Sequence, residues 1–271
     1  MMEETSVRDL PRALGNESLT RRLAECRPAV FLDYDGVLTP IVPRPEDAVI
    51  SDGMRTVVRE LASRCPVCVV TGRDRAVVQQ LMGIDDLVVA GSHGFDIWTP
   101  QRGSVSDDRV ARFADLVAAV TDRLRTEIGA IPGALVEPKR ASVAVHYRLA
   151  EPADRNRIAT VVQGLLAEYR GELKVTPGKM VYELAPAVDW DKGRAVLYLI
   201  EVLDLGSADT VPVYLGDDIT DEDAFRALRG RGIGILVGRA DDPEMAGRTT
   251  AAEFVLSSVD EVERFLTALA R

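Results

Sequence analysis

The sequence predicts an α/β protein: a doubly wound parallel sheet, interrupted by a smaller inserted α+β domain. Three observations predict it. Short β-branched apolar runs alternate with amphipathic helical patterns up to Gly94 and again from Asp189 onward. Such alternation buries a parallel sheet between two layers of helices. Between the two α/β halves lies a region of different pattern, bracketed by two turn-rich stretches, Thr99-Pro100-Gln101-Arg102-Gly103 and Ala185-Pro186-Ala187. Finally, several apolar runs stop abruptly at Asp, Thr or Gly, where open α/β sheets bind ligands.

The elements follow in order. Residues 28–32, Pro-Ala-Val-Phe-Leu, read as a buried strand running into Asp33-Tyr34-Asp35-Gly36. Ser51 caps a helix with Met54, Val57, Val58 and Leu61 inward. Residues 67–70 form the next strand, ending at Thr71-Gly72-Arg73-Asp74. Asp74 is expected to cap a helix with Val77, Val78 and Leu81 inward. Residues 87–90 are a third strand, ending at Gly91-Ser92-His93-Gly94. The middle region starts with one long amphipathic pattern (Val110, Phe113, Val117, Val120, Leu124). Strand-like segments follow at 134–136 and 142–147, then a helix from 153 to 169, then segments at 172–175 and 180–184. Two helices with adjacent strand pairs form an α+β layer. The α/β pattern resumes with a helix from Asp191 and strands at 211–215 and 233–237. Ser258 and Glu261 form a capping box for the last helix, with Val262, Phe265, Leu266 and Leu269 inward. The expected boundaries are a core of residues 1–104 and 187–271, Rossmann-like, and a cap of residues 105–186.

The totals narrow the class. The 271 residues are 46% apolar and 28% charged, enough for a sizeable core without staples. A net charge of −10 argues against non-specific nucleic-acid binding and against anionic membranes. No apolar stretch reaches bilayer length, and the start Met1-Met2-Glu3-Glu4 is too acidic for a secretory signal. The three cysteines, Cys26, Cys65 and Cys68, form no framework, so a reducing, cytoplasmic setting is expected. Cys68 reads as a buried strand residue rather than half of a dithiol or zinc site. Trp98 and Trp190 read as hinge or core packing.

The chemistry gathers at the ends of the runs. Asp33 and Asp35 follow the first strand, and two such acids stay ionised together only with a cation near. Thr71 follows the second strand, Lys192 opens a helix, and Asp217 and Asp218 follow a later strand. A carboxylate nucleophile, a second acid, a hydroxyl, a fixed cation and oxygen ligands for Mg²⁺ are what phosphoryl transfer through a covalent intermediate requires. Lys192 at a helix start opposes the helix dipole, which phosphate binding would explain. Glu222 and Asp223 are read as favourable charges at a helix N-terminus.

Four motifs, Asp33-Tyr34-Asp35-Gly36-Val37-Leu38, Val70-Thr71-Gly72-Arg73, Lys192-Gly193 and Gly216-Asp217-Asp218-Ile219-Thr220-Asp221-Glu222-Asp223, resemble those of the haloacid dehalogenase superfamily. Within it, Gly91-Ser92-His93-Gly94, Glu137-Pro138-Lys139, His146-Tyr147-Arg148 and Gly178-Lys179-Met180-Val181-Tyr182-Glu183 resemble the trehalose-6-phosphate phosphatase family. The position of the insertion resembles the superfamily's second cap type. Val37 stands where many relatives have Thr.

The resemblance implies hydrolysis of trehalose 6-phosphate to trehalose and phosphate, with Mg²⁺, through an aspartyl-phosphate. It implies Asp33 as nucleophile and Asp35 as general acid and then base. Thr71 and Lys192 would hold phosphate, and Asp33, Asp35, Asp217 and Asp218 would bind metal, with Asp221 as a further ligand or support. Gly36 would let the backbone approach the transferring group. Gly72, Arg73, Ser92, His93, Gly94, Glu137, Lys139, Arg148, Lys179 and Glu183 would meet the substrate. The partners implied are a small sugar phosphate and, functionally, a trehalose-phosphate synthase; a monomer is expected. The competing readings are a phosphatase of another sugar or glycosyl-glycerate phosphate, a sugar-phosphate mutase, and a non-catalytic sugar-phosphate sensor. The sensor would usually have lost one of Asp33, Asp35, Lys192 or Asp217, and all four are present.

Overall fold

Val30, Phe31 and Leu32 are completely buried, because the run they belong to is covered on both faces and paired on both edges. The computed structural model describes residues 4–271 apart from Asp107, Lys179, Glu244 and Ala246. It divides into two units, Met1–Val105 with Trp190–Arg271, and Ser106–Asp189.

The larger unit begins with β1 (Thr5–Ser6), α1 (Glu17–Ala24), β2 (Arg27–Leu32), α2 (Asp52–Ala62), β3 (Val67–Val70), α3 (Arg75–Met82), β4 (Val88–Gly91), β5 (Asp96–Thr99) and β6 (Gly103–Ser106). The smaller unit holds α4 (Asp108–Ile128), β7 (Leu135–Pro138), β8 (Val143–His146), α5 (Pro152–Glu168), β9 (Leu173–Gly178) and β10 (Val181–Pro186). The larger unit is completed by α6 (Lys192–Val202), β11 (Thr210–Gly216), α7 (Glu222–Leu228), β12 (Ile233–Val237), β13 (Thr249–Thr250), β14 (Phe254–Leu256) and α8 (Val259–Leu269).

The main sheet has the order β14-β12-β11-β2-β3-β4-β5-β6. It is parallel from β14 to β4, and β5 runs antiparallel to β4. The chain winds outward from β2 in one direction and from β11 in the other. The crevice between those two strands is therefore the topological switch point, where doubly wound sheets place their ligands. Strands β5 and β6 flank the turn-rich stretch 99–103 and were not among the expected strands. Residues 96–106 contain Pro100 and Gly103 and no apolar run, so only pairing with the edge of β4 makes a strand of 96–99.

Helix starts largely follow the side chains expected to cap them. Ser51 accepts from Met54 N at 3.1 Å, and Met54, Val57, Val58 and Leu61 are buried. Asp74 precedes α3 but makes no capping bond; its carboxylate accepts the Ser92 hydroxyl at 2.9 Å. On that helix Val78 and Met82 are buried, whereas Val77 is exposed. Ser258 accepts from Glu261 N, while the Glu261 carboxylate takes Ser257 N at 2.8 Å, one residue before the expected partner.

The smaller unit is a four-stranded antiparallel sheet, β7-β8-β10-β9. The period of two sorts its faces. Val143, Val145 and Leu184 pack against Val120, Leu124 and Ile128 of α4 and Ile158, Val162 and Leu165 of α5. The opposite face carries a row in register across four strands: Glu137, Ala144, Glu183 and Thr176.

Candidate active site

Strand β2 ends by pairing Asp33 N to Leu215 O of β11 at 3.0 Å, which sets Asp33 directly at the switch point. The Asp33 carboxylate accepts Tyr34 N at 2.7 Å and the Lys192 ammonium at 2.8 Å. Lys192 is the first residue of α6, whose N-cap Asp191 accepts Arg194 N at 2.8 Å. The ammonium also donates to Asp221 at 2.7 Å. An ammonium at a helix N-terminus is disfavoured by the dipole; here two carboxylates offset that.

Asp221 is fully buried and is the hub of the site. One oxygen accepts Lys192 and the Tyr214 hydroxyl, the latter at 2.6 Å. The other accepts Asp217 N and Asp218 N, both at 2.9 Å. These bonds pull the end of β11 into a turn that carries Asp217 toward Asp33. Asp33, Asp217 and Asp221 then present carboxylate oxygens within 4.8 Å of one another, all buried.

Two glycines make that approach possible. Gly36 has φ +75°, and a Cβ there would sit 2.2 Å from an Asp217 carboxylate oxygen. The place a side chain would take at Gly36 is thus filled by Asp217. A Cβ on Gly216 would sit 2.3 Å from the Asp221 carboxyl carbon.

Burial dominates the electrostatics. It pushes Asp33 up to about 7, with Lys192 opposing and Asp221 and Asp35 adding to the rise. Burial opposes the charge on Lys192, but Asp221 and Asp33 outweigh it and hold the ammonium well above its ordinary value. Burial, then the Asp221 charge, drives the Tyr214 hydroxyl far up, so it stays a donor. Three buried carboxylates against one buried ammonium form an oxygen-rich, anionic cluster, which suits a hard divalent cation.

The other expected residues fall in three places. Asp35 stands beside the cluster and is held bidentately by Arg73, at 2.6 and 2.7 Å. Arg73 was expected to meet substrate; here it also donates to Pro45 O at 2.7 Å. Asp218 accepts Ile219 N at 2.7 Å and caps the short turn 219–221, while Asp221 is the third carboxylate of the buried cluster. Thr71 is buried, and its hydroxyl accepts Arg73 N at 3.2 Å.

Beside Thr71, Ser92 and His93 hold φ +49° and +55°, followed by Gly94 at +91°. Left-handed conformations at two non-glycine residues cost roughly 1–2 kcal/mol each, and the neighbourhood pins them. His93 N donates to Thr71 O at 2.8 Å, and the Trp190 indole donates to His93 O at 3.1 Å. A Cβ on Gly72 would lie 2.7 Å from the His93 ring, and one on Gly94 would lie 2.3 Å from Ala195 Cβ.

In the smaller unit, Glu183 accepts Lys139 at 3.2 Å and the Ser142 hydroxyl at 2.7 Å. Glu137 pairs with His146 at 2.6 Å. These side chains belong to the sheet face opposite the helices. Arg148 lies in the exposed turn after β8, which ends at His146. Lys179 lies outside the described residues.

The trehalose-phosphatase family profile matches residues 31–258, spanning every motif described. The chain belongs to the trehalose-phosphatase family. Over its full length it is 42% identical to the trehalose-phosphate phosphatase of Mycobacterium tuberculosis H37Rv, of which it spans 70%. Over 92% of its length it is 45% identical to that of Mycolicibacterium paratuberculosis, of which it spans 63%. The C-terminal domain of Candida albicans trehalose-6-phosphate phosphatase superposes with a TM-score of 0.80 at 25% identity, covering 96% of this chain and 98% of that one. A crystal form of the Aspergillus fumigatus enzyme gives 0.62 at 28% identity, covering 96% and 98%. A haloacid dehalogenase-like hydrolase from Bacteroides thetaiotaomicron shares the fold, with a TM-score of 0.62. This trehalose-phosphatase family member is therefore a phosphoric monoester hydrolase.

Motif reading did not single out Tyr214 and Arg248 beside this site, and it read Glu222 differently. Tyr214 sits in the middle of an apolar strand, and its hydroxyl has no sequence signature. Glu222, read as a favourable helix-end charge, is 3% exposed and forms a buried ion pair with Arg248 at 3.0 Å. Arg248 lies in a Gly-, Thr- and Arg-rich stretch that carried no motif.

Proposed function

We propose that this enzyme hydrolyses trehalose 6-phosphate to trehalose and phosphate by way of an aspartyl-phosphate on Asp33. The observation that carries the reading is the buried Asp33–Lys192–Asp221 network at the switch point of the sheet, in a chain of this family. Asp33 is oriented by Tyr34 N on one oxygen and Lys192 on the other, which holds the carboxylate in one pose for attack on phosphorus. Attack forms the Asp33–phosphorus bond and breaks the bond from phosphorus to the sugar oxygen. Asp35, once it leaves the Arg73 pair that holds it as a carboxylate and takes up a proton, gives that oxygen its proton. Asp35 then takes a proton from water as the water attacks phosphorus, which frees phosphate and restores Asp33. Lys192 and the Thr71 hydroxyl offset the phosphoryl charge. Asp33 and Asp217 are the carboxylates that would hold Mg²⁺, with Asp221 saturated by four donors beneath them. When bound, Mg²⁺ would supply positive charge for the transferring group.

The sugar is read by polar groups, since hydroxyls need both donors and acceptors. Glu137, Lys139, Arg148 and Glu183 of the smaller unit offer both, as do Ser92 and His93 in the larger one. Lys179 belongs to the same proposed set. A trehalose-phosphate synthase would supply the substrate, and a cytoplasmic setting fits free cysteines. Among the described residues no helix is long and apolar enough to cross a membrane.

The test is phosphate release from a panel of sugar phosphates, with Mg²⁺ and with excess chelator. A strong preference for trehalose 6-phosphate that disappears in chelator is expected. Equal rates across the panel would reject the substrate, and full activity in chelator would reject the metal.

A further inference from the structure

Arg248 lies 31 residues after Asp217 in sequence, yet its guanidinium is bonded into the loop that carries that acid. It donates to Asp217 O at 3.3 Å, to Asp218 O at 2.9 Å and to the Glu222 carboxylate at 3.0 Å. The second Glu222 oxygen accepts Ala251 N at 2.8 Å. The turn after β11 is thus clamped from two sides. Asp221 holds the N–H groups of Asp217 and Asp218, and Arg248 holds their carbonyls.

Arg248 is itself held by the start of the chain. Val7 N donates to Arg248 O at 3.1 Å. Strand β1 pairs Thr5 and Ser6 with Thr250 and Thr249 of β13. Glu4 accepts the Thr249 hydroxyl at 2.9 Å and Arg226 at 2.9 Å. These residues precede every motif and have no part in the chemistry described so far.

We propose that Arg248 is a positioning residue for the Asp217 carboxylate, and that residues 4–7 strap Arg248 in place. The inference rests on the reading of the Asp33–Asp217 cluster as the divalent-cation site. A planar guanidinium holds its donors in a fixed fork and so sets the two carbonyls and the carboxylate in one geometry, whereas the three donors of an ammonium rotate on a flexible stem. Tolerance at Asp217 is small, because its carboxylate fills the space a Cβ on Gly36 would need. Releasing the carbonyl side of the turn lets Asp217 tilt away from Asp33 and weakens the cation site. Supporting residues of metal ligands typically contribute about ten- to a hundredfold in metal affinity.

Mn²⁺ titration of the purified full chain, followed by electron paramagnetic resonance without substrate, reads the site independently of turnover. Melting temperature and KM at saturating metal are measured alongside. Arg248→Met is expected to stay folded, to bind Mn²⁺ about ten- to a hundredfold more weakly, and to keep its KM. Arg248→Lys should recover part of the affinity, and deletion of residues 1–7 should weaken it less than Arg248→Met does. A folded Arg248→Met with wild-type Mn²⁺ affinity overturns the proposal; if that variant does not fold, wild-type affinity in Arg248→Lys does so instead. Asp217→Asn separates the two readings. If it abolishes Mn²⁺ binding while Arg248→Met does not weaken it, only the positioning role falls. If Asp217→Asn binds like wild type, the cation site and the positioning role fall together.

Discussion

At Gly36 the backbone sits at φ +75°, and a methyl group there would lie 2.2 Å from Asp217. Alanine would cost about 1–2 kcal/mol in the left-handed region alone, and it would also drive Asp217 away from Asp33. Gly36→Ala is therefore expected to lose phosphatase activity far beyond its fall in melting temperature; a variant with wild-type turnover would refute the close approach. Asp33→Asn should abolish turnover with the fold intact, since an amide cannot attack phosphorus; near-wild-type phosphate release would show that Asp33 is not the nucleophile. For Asp35→Asn the expected signature is a split between substrates. A sugar alkoxide is a poor leaving group and loses about 10²–10⁴-fold without its acid, whereas an aryl phosphate with a good leaving group loses little. Equal losses on both would remove the acid role. At this scale the sequence showed which acidic residues the fold gathers beside Lys192, because carboxylates at strand ends are visible as motifs. It did not show what holds them. Asp221 as hub, the Tyr214 hydroxyl and Arg248 depend on contacts between distant segments, and the sequence did not separate Asp218, which caps the turn, from Asp221, which lies in the buried cluster.

The helices and strands were legible to the extent that a pattern repeats. Met54, Val57, Val58 and Leu61 share one helix face by spacing, and all four are buried. Caps were legible where one short side chain has one helix start to serve. Asp74 shows the limit: in sequence it looks like Ser51, but its carboxylate serves Ser92, which sits in a left-handed turn. The two positions should respond differently to alanine. Ser51→Ala should cost about 1 kcal/mol of stability through the lost cap. Asp74→Ala should leave α3 intact and instead loosen the Ser92–His93 turn, lowering turnover more than stability. Urea unfolding beside steady-state kinetics separates the two, and a stability loss at Asp74 as large as that at Ser51 would count against this assignment. Strands β5 and β6 were not legible, because four-residue segments among turn residues acquire strand character only from the neighbour they pair with.

Over the whole molecule, the alternation of strands and helices was enough to predict a doubly wound sheet, and the acidic strand ends then locate the switch point between β2 and β11. Bringing Asp33, Lys192 and Asp221 together from positions up to 188 apart in the chain has an electrostatic cost that the whole protein carries, and it gives stability a definite pH dependence. Burial raises Asp33 from its ordinary value of 3.8 to about 7 in the folded chain. The folded state therefore binds this proton more tightly than the unfolded state does. Its contribution is fully present below pH 3.8 and is lost as pH rises toward about 7. The net charge of −10 adds general repulsion in the same direction. Metal-free protein should accordingly melt at a lower temperature at pH 8 than at pH 5. Asp33→Asn, which keeps the shape and removes the charge, should flatten much of that slope. A divalent cation offsets the same charge, so Mg²⁺ should raise the melting temperature of the wild type more at pH 8 than at pH 5, and should do little for Asp33→Asn. Melting curves of both proteins, in chelator and in Mg²⁺ at the two pH values, decide the matter. An unchanged pH slope in Asp33→Asn would mean that the buried carboxylate is not the group the fold is straining to neutralise.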